Sequence, residues 1–299
     1  MLFYVFFEAT LIPMYLVIGV WGGPNRVYAA VKFFLYTLLG SLLMLLAFLY
    51  LYNKSGGSFA VLDYHKLPLP LNVQILLFIA FLMAFAVKVP MWPVHTWLPD
   101  AHVEAPTGGS AVLAAILLEA RRLRLHPLFA ADTARTRATT SSGFMITLSL
   151  IAIAYIGLVA LVQTDMKKLI AYSSISHMGF VTLGFFIFNA YGMEGGAGAD
   201  DLARLRVGGA VPVRGRDVRP HALARHRRLR RRGRTPCRRF AALMMLFAMA
   251  NCGLPATSGF VGEFMVIMGA MKFNFWIALV AGDDARLRRG VHAVDVSSA

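Results

Sequence analysis

The stretch that decides the fold class is LLFIAFLMAFAVKVPMWPVHTWLPDAHVEAPTGGS, residues 76–110. An apolar run over residues 75–87 leads directly into Lys88, and prolines follow at Pro90 and Pro93. Such a run is typical of a membrane helix, and the lysine at its end either snorkels to the surface or lies inside the membrane. Because a charge at bilayer depth costs about 2.5 kcal/mol or more, a lysine held there indicates a functional group.

The composition extends this interpretation to the whole chain. Its 299 residues are 58% hydrophobic and 15% charged, with a mean hydropathy of +0.62. Several apolar runs approach the ~20 residues that a spanning helix needs. We therefore predict an all-α polytopic membrane protein. Two cysteines are too few for a disulfide framework, and we find no GxGxxG, P-loop, CxxC or HExxH pattern. We expect no cofactor and no metal in this chain.

The net charge of +15 comes from an uneven distribution of arginine. All but one of the arginines lie in residues 119–143, 197–239 and 283–299, and these stretches contain no lysine, isoleucine or methionine. We infer that they are read out of frame, which resequencing the DNA would test. The alternative is a basic arm for nucleic acid or anionic lipid. Residues 197–239 have no aromatic side chain to stack on bases, so we expect no nucleic-acid partner.

The remaining segments predict seven membrane helices. Helix 1 covers Leu2 to Val20, helix 2 Val27 to Tyr52, helix 3 begins near Leu71, helix 4 begins at Gly108, helix 5 covers Phe144 to Val162, helix 6 Leu169 to Phe188, and helix 7 starts at Phe240. The organisation is helices 1–4 in residues 1–118, helices 5 and 6 in 144–196, and a broken helix 7 in 240–281 that resumes at Phe260 and ends near Ala281. Residues 95–107 form a polar, proline-rich linker.

Two of these helices are interrupted at polar, Gly- and Pro-containing sites. Helix 3 breaks after Lys88, and helix 7 breaks at NCGLPATSG, residues 251–259. Unwound backbone inside a membrane is tolerated where it lines a cavity, and paired broken helices mark transporters built from inverted repeats. The pattern therefore predicts ion movement.

Glu8 and Lys88 are the first candidates for that task. Glu8 lies in the otherwise apolar run LFYVFFEATLIPMYLVIGV, and Lys88 is a cation available to it within a membrane segment. A proton arriving nearby would weaken such a pair and change the proton affinity of the lysine. The alternative is that Glu8 caps a helix end.

Histidines and one further glutamate are the other candidates. His177 lies mid-helix with hydroxyls around it, so it can relay protons or be a satisfied structural group. His95 and His102 flank a proline-rich turn and are structural or functional. Glu263 follows the break in helix 7, and we expect it to cap the second half-helix, where a carboxylate suits the helix dipole.

Several segments together carry a family resemblance. FFEATLIPMYLVIGVWGG, KVPMWPVHTWLPDAHVEAPTGGSAVLAAILL, QTDMKKLIAYSSISHMGFV and GLPATSGFVGEFMV resemble the M-chain family of respiratory complex I, the NADH:quinone oxidoreductase, whose mitochondrial counterpart is NADH dehydrogenase subunit 4. That family is similar to subunits of multi-subunit cation/proton antiporters and membrane-bound hydrogenases. The resemblance covers residues 1–118, 144–196 and 240–281.

The resemblance implies an antiporter-like bundle of inverted repeats, entered here at the family's fifth helix. It implies that Glu8 and Lys88 form the ion pair of a proton path and that His177 belongs to its central axis. It also implies a multi-pass subunit of the bacterial cytoplasmic membrane, bound to the antiporter-like L and N chains. NADH, FMN, iron–sulfur clusters and quinone would bind other subunits.

The chain also departs from the family. Glu119 stands where the family has a lysine, residues 197–239 replace a helix that carries another histidine, and the last half-channel is lost beyond Ala281. We therefore predict that this polypeptide alone does not pump protons. The alternatives are a cation/proton antiporter subunit, the membrane arm of a hydrogenase, and a structural membrane scaffold.

Overall fold

The computed structural model describes residues 2–64, 67–113, 139–163, 165–199, 249 and 258–283. These residues are predominantly helical, and no β-strand is found among them. The described residues up to residue 113 form the helices α1 (Leu2–Ala9), α2 (Leu11–Trp21), α3 (Arg26–Lys54), α4 (Val61–Tyr64), α5 (Leu71–Lys88), α6 (Trp97–Glu104) and α7 (Thr107–Val112).

The second half supplies the helices that follow: α8 (Thr139–Leu161), α9 (Met166–Phe186), α10 (190–199), α11 (Ser258–Phe273) and α12 (275–283). Five segments of the described residues are long and apolar enough to cross a membrane: Tyr4–Trp21, Arg26–Lys54, Leu71–Lys88, Ser142–Leu161 and Lys167–Phe186. The all-α, polytopic fold class is therefore confirmed.

Two helix pairs form the framework on which the polar groups lie. Helix α3 packs along α5 and also contacts α2 and α6, while α9 packs along α8 and contacts α6 and α11. Gly40 allows the first pair to approach closely, because a Cβ there would lie 3.1 Å from the Cα of Ala84. Gly179 has the same role in the second pair, where its Cβ would lie 2.7 Å from the side chain of Ile153. Small residues commonly permit such close packing of membrane helices.

The first predicted helix is interrupted at one residue. Instead of one helix from Leu2 to Val20, the structure has α1 and α2 with a turn at Thr10 between them. Pro13 explains the interruption, because proline has no N–H to donate to the carbonyl of Ala9 and its ring crowds that carbonyl.

The predicted linker over residues 95–107 was wrong for most of its length, because α6 occupies it. Trp97, Leu98 and Ala101 of α6 are buried among apolar side chains of the neighbouring helices. An eight-residue helix is too short to be stable alone. Its stability comes from this burial, which local sequence patterns do not reveal.

Other observed helix ends differ from the predicted ones, and the differences lie at polar or strained residues. Helix α9 ends at Phe186 rather than at Phe188, whose φ of 50° is incompatible with a right-handed helix. The second half of helix 7 starts at Ser258 and ends at Phe273, short of Ala281. It is broken there because the Asn274 side chain accepts a hydrogen bond from the N–H of Trp276 at 2.9 Å and so begins α12. The predicted break at 251–259 lies almost entirely outside the described residues.

Candidate functional site

The end of α5 places Lys88 beside a broken stretch of backbone. Pro90 has no N–H for the carbonyl of Ala86, and that carbonyl instead accepts the N–H of Met91 at 2.9 Å. The next carbonyl, that of Val87, accepts the indole N–H of Trp97 at 2.8 Å. Each of these two carbonyls therefore has a hydrogen-bond partner, although the end of α5 is buried inside the protein. Lys88 itself is buried, with 9% of its surface exposed.

Glu8 lies within electrostatic range of this lysine. Ser41 on α3 and Lys88 on α5 are the polar groups that act on the half-buried Glu8 carboxyl of α1. Its Oε1 atom is buried and has no hydrogen-bond partner among the described residues. The three helices thus bring an acid, a hydroxyl and a base together within an apolar bundle. Such a group can hold or release a proton as its local hydration changes.

A second acid–base pair lies between α9 and α11. The Nδ1 atom of His177 is 2.7 Å from Oε1 of Glu263, and only 4% and 9% of the two side chains are exposed. Ser173 and Ser176 are buried on the same helix, and the Ser176 hydroxyl donates to the carbonyl of Ile153 at 3.3 Å. A carboxylate on one imidazole nitrogen stabilises the protonated ring, which suits a proton relay.

The expected capping role of Glu263 was therefore wrong. Helix α11 begins at Ser258, so Glu263 lies in its second turn, where backbone N–H groups are already bonded within the helix. The side chain instead reaches across to His177 on α9. The sequence singles out Glu263 as a polar residue but does not identify His177 as its partner, because the two residues are 86 positions apart along the chain.

The glycines around Glu263 explain how α11 comes so close to its neighbours. A Cβ on Gly262 would lie 2.5 Å from the backbone nitrogen of Ala199, and one on Gly195 would lie 2.7 Å from the Cβ of Met265. Only glycine fits where an added Cβ would lie this close to a backbone nitrogen or to another Cβ. The small residues of α10 and α11 therefore determine the depth at which Glu263 lies.

His95 and His102 lie outside the two acid–base groupings, on the segment between α5 and α7. The ring of His95 contacts Tyr172 of α9 edge-on, at 6.4 Å between centroids. Burial lowers the pKa of His95 below 6.5. Burial, together with the nearby Lys167, lowers the pKa of His102 to about 4, and its Nε2 has no hydrogen-bond partner among the described residues. Both rings are therefore neutral at pH 7 in this structure.

An ion pair that sequence reasoning missed joins α3 to α6. Nζ of Lys32 lies 2.6 Å from Oδ2 of Asp100, and both side chains remain partly exposed. Both charged residues are visible in the sequence, Asp100 in the polar segment after helix 3 and Lys32 near the start of helix 2. Their pairing is not predictable from the sequence, because it depends on the packing of α3 against α6. Within the described part of the chain, no group of three or more His, Cys, Asp or Glu side chains is arranged to hold a metal ion.

This fold and these buried acid–base groups define a transmembrane protein of the antiporter-like class. A family profile described as "NADH:quinone oxidoreductase/Mrp antiporter, TM" matches residues 1–199 and 208–285. The chain belongs to this family, and the resemblance read from its motifs is confirmed.

Within this family, the chain is similar to curated subunits of NADH-quinone and NADH-ubiquinone oxidoreductases. It is 49% identical to NADH-quinone oxidoreductase subunit M of Rhodobacter capsulatus, over 94% of this chain and 57% of that protein. It is 42% identical to NADH-ubiquinone oxidoreductase chain 4 of Marchantia polymorpha, over 94% of this chain and 56% of that protein. The chain thus spans little more than half the length of these relatives.

Solved structures agree on the fold. A chain of respiratory complex I from Thermus thermophilus matches with a TM-score of 0.88 and 32% identity, over 99% of this chain and 63% of that chain. A chain of the Mrp complex from Dietzia sp. DQ12-45-1b matches with a TM-score of 0.82 but only 21% identity, over 97% of this chain and 32% of that chain. The second match shows a shared fold and no more.

Proposed function

We propose that this chain serves in the proton-translocating M subunit of NADH:quinone oxidoreductase, coupling the oxidation of NADH by quinone to proton pumping. The observation that carries the proposal is the buried Lys88 at the broken end of α5, within electrostatic range of the Glu8 carboxyl. A buried lysine that only stabilised the fold would be an expensive choice in a membrane, since an apolar residue would pack there without desolvation.

In this proposal Glu8 and Lys88 form the first step of the path. When the Glu8 carboxyl is ionised, it stabilises the protonated lysine by charge attraction. When a proton reaches the carboxyl, that attraction is lost and the lysine gives up its proton more easily. The uptake of one proton thus drives the release of another further along the chain.

His177 forms the next step, and Glu263 is its partner. The imidazole accepts the proton at one nitrogen while Nδ1 faces the Glu263 carboxylate, which stabilises the positive ring. The buried hydroxyls of Ser173 and Ser176 on the same helix supply polar groups near the ring. When a further proton neutralises the Glu263 carboxylate, its attraction for the imidazolium is lost and the ring releases its own proton. No redox step involves any of these residues.

The same proposal assigns the redox chemistry elsewhere. NADH, FMN, iron–sulfur clusters and quinone bind other subunits of the complex, and the L and N chains of the membrane arm are the direct neighbours. The complex lies in the bacterial cytoplasmic membrane. Support comes from relatives named as subunits of NADH-quinone oxidoreductase and from the match to a chain of respiratory complex I.

The alternative is a subunit of a cation/proton antiporter or of a membrane-bound hydrogenase. The identities favour the oxidoreductase, at 43–49% for the bacterial subunit M relatives against 21% for the Mrp chain. Genes for redox subunits beside the locus would support the first assignment, and genes for antiporter subunits would support the second.

The test is Lys88→Met in the complete subunit, assembled in its complex and reconstituted into vesicles. We expect the rate of proton uptake to fall by about 100-fold or to background, because a positioned proton-transfer group contributes about 10²–10⁴-fold to the rate of its step. Lys54→Met is the matched control, since Lys54 is exposed at the end of α3. Unchanged pumping by Lys88→Met would leave a structural scaffold as the better account.

A further inference from the structure

Helix α6 is held at both ends, and its C-terminal end is held by Lys167. Nζ of Lys167, at the start of α9, donates to the carbonyl of Val103 at 3.0 Å and to that of Ala105 at 3.4 Å. The last carbonyls of a helix have no partner within the helix, and Pro106 cannot supply one because it has no N–H. A positive charge at this end also complements the helix dipole.

The loop between α2 and α3 holds the same end from the other side. The N–H of Gly23 donates to the carbonyl of Glu104 at 2.9 Å, and the N–H of Asn25 donates to the Glu104 carboxylate at 3.1 Å. Gly23 leaves space for this carboxylate, because a Cβ there would lie 2.5 Å from it. Three separate parts of the chain therefore meet at the end of α6.

The other end of α6 is fixed to the functional end of α5. The Trp97 indole N–H caps the carbonyl of Val87, the residue before Lys88. The ion pair of Lys32 with Asp100 ties the first turn of α6 to α3. The position of α6 therefore determines the position of the backbone that carries Lys88.

Lys167 connects this clamp to the second acid–base pair. It lies on the same helix as His177, ten residues earlier, which is about 15 Å along a rigid α-helix. Because α9 is continuous from Lys167 to His177, a shift of α9 at His177 would be passed through Lys167 to α6, and through Trp97 to the end of α5. We propose that Lys167 is a positioning residue that keeps the Lys88 and His177 steps of the path in register. This inference rests on the proposed function.

The experiment compares three variants in the assembled complex that contains the complete subunit. Lys167→Met keeps the length and the apolar stem but removes the donor, Lys167→Arg keeps the charge and the donors, and Lys168→Met removes the neighbouring charge, for which no contact is described. Proton uptake per NADH oxidised is measured in vesicles, and assembly is measured by the amount of complex in the membrane.

We expect normal assembly for all three variants. The pumping ratio of Lys167→Met should fall to about half or less, since the charge-assisted hydrogen bonds from Lys167 to the carbonyls of Val103 and Ala105 no longer fix α6. Lys167→Arg should restore the ratio, which a role of the lysine as a proton carrier would not allow, because arginine does not release its proton. Lys168→Met should pump normally.

The outcomes separate this inference from the proposed function. Normal pumping by Lys167→Met, or an equal loss in Lys168→Met, overturns the positioning role even if Lys88→Met abolishes pumping. Failure of Lys167→Arg to restore the ratio also overturns it, and indicates that the lysine itself transfers protons. Normal pumping by Lys88→Met instead overturns the function on which the inference rests.

Discussion

The contact between His177 and Glu263 yields a prediction with a calculable size. The two side chains approach to 2.7 Å and are almost fully buried. When the imidazole is protonated, the two unit charges at the observed 2.7 Å attract each other by about 6 kcal/mol at an effective dielectric constant of 20. Desolvation of both groups offsets much of that energy. Breaking such a pair by removing one partner nevertheless costs about 3–5 kcal/mol, because the other group stays buried without its partner.

We therefore predict that Glu263→Leu destabilises the protein by about 3–5 kcal/mol. A change of 1 kcal/mol lowers the melting temperature by about 2–4 °C for a chain near this size, so the total fall is about 6–20 °C. Glu263→Gln retains a hydrogen-bonding group of the same length, and its melting temperature should lie between those of Glu263→Leu and the parent. Thermal unfolding in detergent, followed by circular dichroism, measures all three.

The matched control is Glu194→Leu on α10. Glu194 is exposed, and exposed substitutions normally change stability by about 0.5 kcal/mol or less. If Glu263→Leu melted within about 2 °C of the parent protein, as expected for the control, the buried pair would contribute nothing and the relay assigned to it would lose its structural basis. In the assembled complex that contains the complete subunit, Glu263→Gln should also abolish proton pumping, because an amide lacks the negative charge that stabilises the protonated His177 ring.

Two further predictions follow from packing and burial. Gly40→Ala forces α3 away from α5 and should destabilise the protein by about 1–3 kcal/mol. Gly108→Ala is the control and should not destabilise it, because a Cβ there would have no neighbouring atom within 4 Å. Equal melting temperatures for the two variants would contradict the close approach of α3 to α5. His102 has a pKa of about 4 in the folded protein and 6.5 as a free side chain, so the unfolded chain takes up its proton first as the pH falls. The neutral ring therefore contributes about 3 kcal/mol of stability above about pH 6.5, and this contribution is lost as the pH falls towards 4. His102→Gln should flatten the dependence of the melting temperature on pH between 6.5 and 4.

Local sequence patterns were sufficient for the long helices. The predicted helix 2 from Val27 to Tyr52 lies entirely within α3, and the predicted start of helix 3 at Leu71 is the first residue of α5. These helices are long apolar runs, and in a bilayer any such run must satisfy its backbone hydrogen bonds internally. The end of α5 at Lys88 was also predictable, because Pro90 has no N–H with which to continue the helix.

Residues whose state depends on a distant partner were not predictable in the same way. Glu263 was assigned to a helix end because only its own helix was visible in the sequence. The local pattern of residues 95–107 predicts a linker, and α6 forms there because it is buried against α3 and α9, which its own eight residues do not show.

The sequence by itself determined that this chain crosses a membrane as helices, that one helix breaks beside Lys88, and that its motifs belong to the complex I and antiporter family. Hydropathy and proline act locally, so they can be read along the chain. The tertiary structure alone decided that His177 faces Glu263, that Lys32 pairs with Asp100 and that Lys167 caps α6. Each of these contacts joins residues more than 60 positions apart, and only helix packing brings them together.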